Sequence, residues 1–158
     1  MKTVLYVATV ARTYRRAIDD YLESPEKYRA NMDWYRAEAA KCTHRHFTTG
    51  FYFGKPDGGT QIYDASTYVN EYIYLGTVEA ADEKGRARIS QRNKFCVGDR
   101  IEIMKPDGEN LEAEVFSLTT ENGETVESAP HPKQVLYAES DQRADIGDIL
   151  RVQAVKSK

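Results

Sequence analysis

Cys42, His44 and His46 stand two residues apart, so in an extended segment their side chains would share one face. A thiolate and two imidazoles converging in that way are ligands for zinc or a similar cation. A fourth ligand would have to come from Cys96 or His131, far along the chain, and no zinc-finger spacing accompanies the three. The competing structural reading has His44 and Arg45 hydrogen-bonding at a junction between elements while Cys42 packs. A nucleophile pair of Cys42 or Cys96 with His44 or His131 has no local motif behind it. The chain has no nucleophile elbow, no His-Glu-x-x-His, no phosphate loop and no dinucleotide fingerprint. Carboxylates fall mostly at turns and on alternate strand positions, as on solvated strand faces. The expectation is no catalytic residue and no cofactor in this chain, with Cys42, His44 and His46 the candidates if a metal binds.

A second group has the chemistry of a phosphate contact. Gln91-Arg92-Asn93-Lys94-Phe95 places basic and amide side chains before an aromatic ring. Such a set can grip an RNA phosphate and stack a base. Alternatively it is a strand end feeding the turn at Gly98-Asp99, with Phe95 and Val97 in the core, and that structural reading is the one favoured. Ala129-Pro130-His131-Pro132 forms a rigid, extended lead into a later strand. Arg92, Asn93, Lys94 and His131 are therefore the candidates for a partner or RNA surface.

The elements that would hold these residues change character once along the chain. Tyr6, Val7, Val10, Tyr14, Ala17, Ile18, Tyr21 and Leu22 recur at steps of three and four, one stripe of a helix from Thr3 to about Glu23. Arg12, Arg15, Arg16, Asp19 and Asp20 take the other side, with Arg15–Asp19 and Arg16–Asp20 at a supporting i,i+4 spacing. Ser24-Pro25 ends the helix. Thr3 is its only plausible cap, and so abrupt a start predicts a truncated chain. A short turn at Pro25–Tyr28 leads to a second helix capped by Asp33 and running through Trp34 to Lys41. Residues 44–56 pack four aromatics and two glycines into thirteen positions. They read as an ordered junction, buried on one side, that docks the helices onto a β domain. A polar loop runs through Asp64-Ala65-Ser66-Thr67.

From Tyr68 the period becomes two. Strands are predicted near Tyr72–Ala80, Ala87–Gln91, Arg100–Met104, Leu111–Thr119, Gln134–Ala138 and Ile149–Val155, each bounded by a Gly, Asn or Asp turn. Short strands at that spacing, with no helical pattern between them, predict an α+β chain. It comprises a helical segment over 1–43, a junction and loop over 44–67, and a small, mainly antiparallel β-barrel of about six strands over 68–158.

Composition narrows the function. At 158 residues the chain fits one domain, or one with a helical appendage. Two cysteines make no disulfide framework, which with no membrane-length apolar run predicts a cytoplasmic protein. Residues 1–55 carry ten Lys/Arg against six Asp/Glu, and residues 56–158 carry twelve against nineteen. Residues 56–158, with net charge −7, oppose phosphate over most of the barrel.

Several motifs in order carry a family resemblance: Tyr6-Val7-Ala8-Thr9-Val10, Tyr14-Arg15-Arg16-Ala17-Ile18-Asp19, His44-Arg45, Thr48-Thr49-Gly50-Phe51-Tyr52-Phe53-Gly54, Gln91-Arg92-Asn93-Lys94-Phe95, Val97-Gly98-Asp99, Pro130-His131-Pro132 and Asp148-Ile149-Leu150-Arg151. Over nearly its whole length the chain resembles the carboxy-terminal region of peptidase family U-32, the collagenase-like proteases. The resemblance implies a barrel similar to the second domain of elongation factors, preceded in longer members by a catalytic domain. It implies proteolysis by the family's traditional label, or RNA hydroxylation with an iron–sulfur cluster by related members. Two cysteines cannot hold such a cluster in the four-thiolate manner, and neither sits in a matching family motif. The expected role is thus a non-catalytic accessory domain whose partner is the catalytic domain. The alternatives are a tRNA-binding module and a peptide-binding or dimer-forming barrel.

Overall fold

The computed structural model of the chain describes residues 2–45, 47–56, 58, 69–83 and 85–154. The loop predicted through Asp64–Thr67, the end of the last predicted strand at Val155, and His46 lie outside the described residues. Helix α1 spans Val4–Glu23, α2 Pro25–Ala30 and α3 Met32–Ala40. The Thr3 hydroxyl accepts the Tyr6 N–H at 3.1 Å, so the first helix does have its cap. Ser24 both ends α1 and caps α2, its hydroxyl accepting from Lys27 N at 3.0 Å with Pro25 at the first helical position. Asp33 is not the cap of α3. Asn31 holds that position without a side-chain bond, and Asp33 lies in the first turn.

The barrel strands are β1 Tyr72–Ala81, β2 Ala87–Gln91, β3 Phe95–Cys96, β4 Arg100–Met104, β5 Asn110–Thr120, β6 Thr125–Val126, β7 Ser128–Ala129, β8 Val135–Ser140 and β9 Ile149–Gln153. They pair in the order β4-β9-β1-β2-β8-β5, all antiparallel, and β5 returns to β4 to close the ring. The six long strands are those expected from period and turns, and closure leaves no long edge between them. The short pair β3–β7 and the added β6 escaped the sequence because two residues carry no periodicity. The core is the inward side of the alternation, including Leu75, Ile89, Phe95, Ile103, Val115, Leu118, Leu136 and Leu150.

The ring bends at bulges, one of them between Tyr74 and Gly76 where β1 meets β9. There the backbone of β1 runs so close to β2 that a Cβ on Gly76 would lie 2.6 Å from Ser90 O and 2.8 Å from Ile89 Cγ2. Gly76→Ala must push strand against strand, and should cost about 1–3 kcal/mol in a urea melt. A neutral result would mean that β1 and β2 can separate there.

Helix α1 meets the barrel and α3 through the side opposite its apolar stripe. Its buried residues are Leu5, Thr9, Arg12, Thr13 and Asp20, whereas Val4, Val7, Tyr14, Ile18, Tyr21 and Leu22 are exposed. The face turned to the barrel is therefore the polar one. The junction is corrected as well: Phe47, Phe51, Tyr52 and Phe53 are 65–84% exposed, so these rings do not dock the helices.

Candidate functional site

Charge does the docking. Arg12 reaches from α1 to the turn between β4 and β5, where its Nη1 donates to Lys105 O at 2.8 Å and Glu109 O at 3.0 Å. Its Nη2 donates to Asn110 Oδ1 at 2.8 Å and to Glu38 of α3. Arg151, on β9 and wholly buried, donates through Nη2 to the same Glu38 oxygen at 2.7 Å and through Nε to Glu102 of β4 at 2.5 Å. The other Glu38 oxygen accepts from Asn110 Nδ2 at 2.9 Å. Lys41 closes the set, 3.4 Å from Glu38 and 2.8 Å from Glu102. Burial pushes the Glu38 carboxyl up, but Arg151, Arg12 and Lys41 outweigh it and hold its pKa at about 2. Two carboxylates and three cations thus join helices to barrel.

Around this joint the helices brace one another. Arg16 lies over the Trp34 ring at 4.0 Å and donates to Gly108 O at 3.2 Å. Asp20 accepts from Tyr35 Oη at 2.6 Å and Asn31 Nδ2 at 2.9 Å. The Tyr35 hydroxyl holds the Asp20 carboxyl below its usual range against the opposing effect of burial. Of the two carboxylates, Glu38 is wholly enclosed by its partners, and Glu102, which also borders an open groove, is held by Arg151 and Lys41, so the cluster acts as a joint.

The cysteine–histidine candidates are not assembled into reactive geometry among the described residues. Cys42 is buried, its Sγ donating to Ala39 O at 3.3 Å, and burial pushes its thiol pKa up. That favours the unreactive protonated form. His44 bridges to Val69 through its backbone, and its Nδ1 lies 2.6 Å from Arg45 O. Cys96 is half-buried at the β3 end, with its backbone N–H bonded to Asp99 Oδ2 at 2.7 Å. Among the described residues no group of three His, Cys, Asp or Glu side chains is placed to hold a metal ion. His46 lies outside them.

The RNA candidates divide by role. Gln91 is fully buried and its Nε2 donates to Ala129 O and, at 3.0 Å, to Asn93 O. Asn93 Nδ2 donates to Tyr74 O at 2.7 Å. Phe95 is core. Arg92, Lys94 and His131, by contrast, are exposed. Lys133, beside them, was missed by sequence reading because a single lysine after a proline is unremarkable.

An open groove of about 470 Å³ adjoins the joint at Glu102, is lined further by Arg100, Glu112, Glu114, Asp141 and neighbours, and is acidic. No helix among the described residues is long and apolar enough to cross a membrane.

The helical lead and the closed barrel are matched by two parts of one family. Residues 70–151 match the peptidase family U32 C-terminal domain, and residues 1–62 match peptidase family U32. The chain belongs to that family. It is 31% identical over 152 residues to "tRNA hydroxylation protein P1" of Bacillus subtilis, covering 96% of this chain and 36% of that protein. It is 30% identical to "tRNA hydroxylation protein P" of Haemophilus influenzae, over 81% of this chain and 27% of that one. The chain therefore spans about a third of the length of the curated relatives it matches. Among solved structures it is similar to the C-terminal domain of a Geobacillus thermoleovorans U32 peptidase, with 27% identity, a TM-score of 0.47, and coverage of 51% of this chain and 99% of that one.

Proposed function

We propose that this chain is the carboxy-terminal accessory module of a tRNA-hydroxylating U32 protein, docked through α1 onto the remainder of a U32 polypeptide and supplying position rather than a reactive group. The observation that carries the reading is the outward face of α1. Val4, Val7, Ala11, Tyr14, Ile18 and Tyr21 recur every three or four residues and are all exposed, on the side of the helix away from the barrel. Single exposed apolar residues are ordinary, but a contiguous stripe along a five-turn helix marks a contact. The occupant is the part of the relatives outside the matched third. Residues 1–62, which contain α1, match the general U32 family rather than its C-terminal domain. The tRNA substrate class comes from the printed names of the relatives.

A chimera tests this. Replacing the matched third of the Bacillus subtilis relative by this chain should restore tRNA hydroxylation in cells lacking that protein. Tyr14→Asp with Ile18→Asp in the chimera should abolish it, while the same changes in the isolated chain leave its melting temperature within about 2 °C, as exposed sites do. A chimera that works equally well with the charged face would remove α1 as the docking surface.

A further inference from the structure

The loops that leave β2 and enter β8 are fastened to each other and to β1. Lys133 N donates to Gln91 O at 2.9 Å, and Gln91 N donates to Gln134 O at 3.2 Å. Arg92 N donates to Leu75 O at 2.7 Å, and the Asn93 amide holds Tyr74 O. The backbone here is pinned while the charged tips are not. Of the described cations between residues 69 and 154, Arg86, Arg88, Lys105, Arg143 and Arg151 are all ion-paired, and Arg100 lies among the carboxylates of the acidic groove. Arg92, Lys94 and Lys133 are exposed and have no ion-pair partner among the described residues, and the exposed His131 sits in the same loop as Lys133. Unpaired cations gathered on a rigid base within an acidic barrel are not what simple solvation would arrange.

Lys133 adds a second sign. Its φ of 68° makes it the one non-glycine residue in the left-handed region among the described residues. Glycine or asparagine takes that conformation more readily than lysine does. Backbone held in an unfavoured region clusters at functional positions, and here it carries a charge that glycine would lack. The acidic groove, meanwhile, begins at the other end of β8. Asp141 follows that strand and Lys133 precedes it, with the six residues Val135–Ser140 between them, roughly 20 Å of strand. A polyanion would meet the cations without crossing the carboxylates.

We infer that Arg92, Lys94, His131 and Lys133 form a phosphate-contacting surface for the backbone of an RNA, which on the reading above is tRNA. The contacts are to phosphate rather than to bases, because the aromatic residue of the motif, Phe95, is buried and has no ring face to offer.

The test is a titration of the whole chain with unmodified tRNA at two or more salt concentrations, beside a thermal melt. The wild-type chain should bind with an affinity that falls steeply as salt rises. Arg92→Ala with Lys94→Ala and Lys133→Gly should weaken binding at least tenfold and flatten the salt dependence, each lost phosphate contact removing about one unit of slope. The melting temperature should not fall, and Lys133→Gly alone should raise it by relieving the backbone while still weakening binding. Wild-type affinity in the triple variant, or no tRNA binding by the wild-type chain, would overturn the surface. The two readings fail separately. A chimera that hydroxylates tRNA beside a chain with no patch-dependent binding rejects the surface alone. Patch-dependent binding beside an inactive chimera rejects the docking alone.

Discussion

Glu38→Ala should destabilise the chain by about 3–5 kcal/mol, the largest effect of any single substitution expected here. The carboxylate removed is almost wholly buried and faces Arg12 and Arg151, themselves 5% and 0% exposed. The loss arises from what remains. Two guanidiniums, brought together from opposite ends of the chain, would confront each other with Glu102, beside Arg151, left to offset them. Breaking a buried pair by removing one member costs far more than the intact pair contributes relative to an apolar replacement. In a chain of this size that corresponds to a fall in melting temperature of roughly 10 °C. Arg151→Met should do less damage, because it removes one cation and leaves Glu38 still paired with Arg12 and Lys41. A denaturant melt of both variants decides the matter. If Glu38→Ala costs under about 1 kcal/mol, helices and barrel are held together by something other than this joint.

Most of the barrel was legible because its signals are local. Glu121-Asn122-Gly123 or Ile146-Gly147-Asp148 declares a turn within three residues, and β2 and β4 alternate over most of their length with the inward side apolar. The joint was illegible because its members are pairwise ordinary. Arg12 reads as one more charge on a polar helix face, and Glu38 as one more acid in an alanine-rich helix. A faint signal existed at Arg151, a lone cation inside the buried strand Ile149-Leu150-Arg151, where an unpaired charge could not stay. The orientation of α1 was illegible for a related reason. An apolar stripe marks one face of a helix as fit for burial and does not say what covers it. In this chain the barrel takes the polar face, and the stripe stays exposed. The aromatic run at Phe47–Phe53 misled in the same way, its rings being fit for burial but left exposed by the described residues.

Acid should loosen the same joint, and the direction follows from Glu38 alone. Its pKa is lowered from 4.5 to about 2 in the folded chain. Above pH 4.5 the carboxylate is ionised whether the chain is folded or not, and its full contribution, about 3 kcal/mol for a shift of this size, is present. As pH falls from 4.5 towards 2 the unfolded chain takes up the proton first, and the contribution is progressively lost. Asp20, also held below its usual range, acts in the same direction. The background of other carboxylates is removed by comparison with Glu38→Gln, which keeps the shape of the side chain and cannot titrate. At pH 6 the wild-type chain should be the more stable of the two, and the gap should narrow steadily between pH 4.5 and pH 2.5. Urea melts of the pair at several pH values read this directly. A gap that stays constant through that range would mean that Glu38 gives up its proton no more readily in the folded chain than in the unfolded one. In that case the surrounding arginines would be compensating one another's burial rather than holding a carboxylate charged.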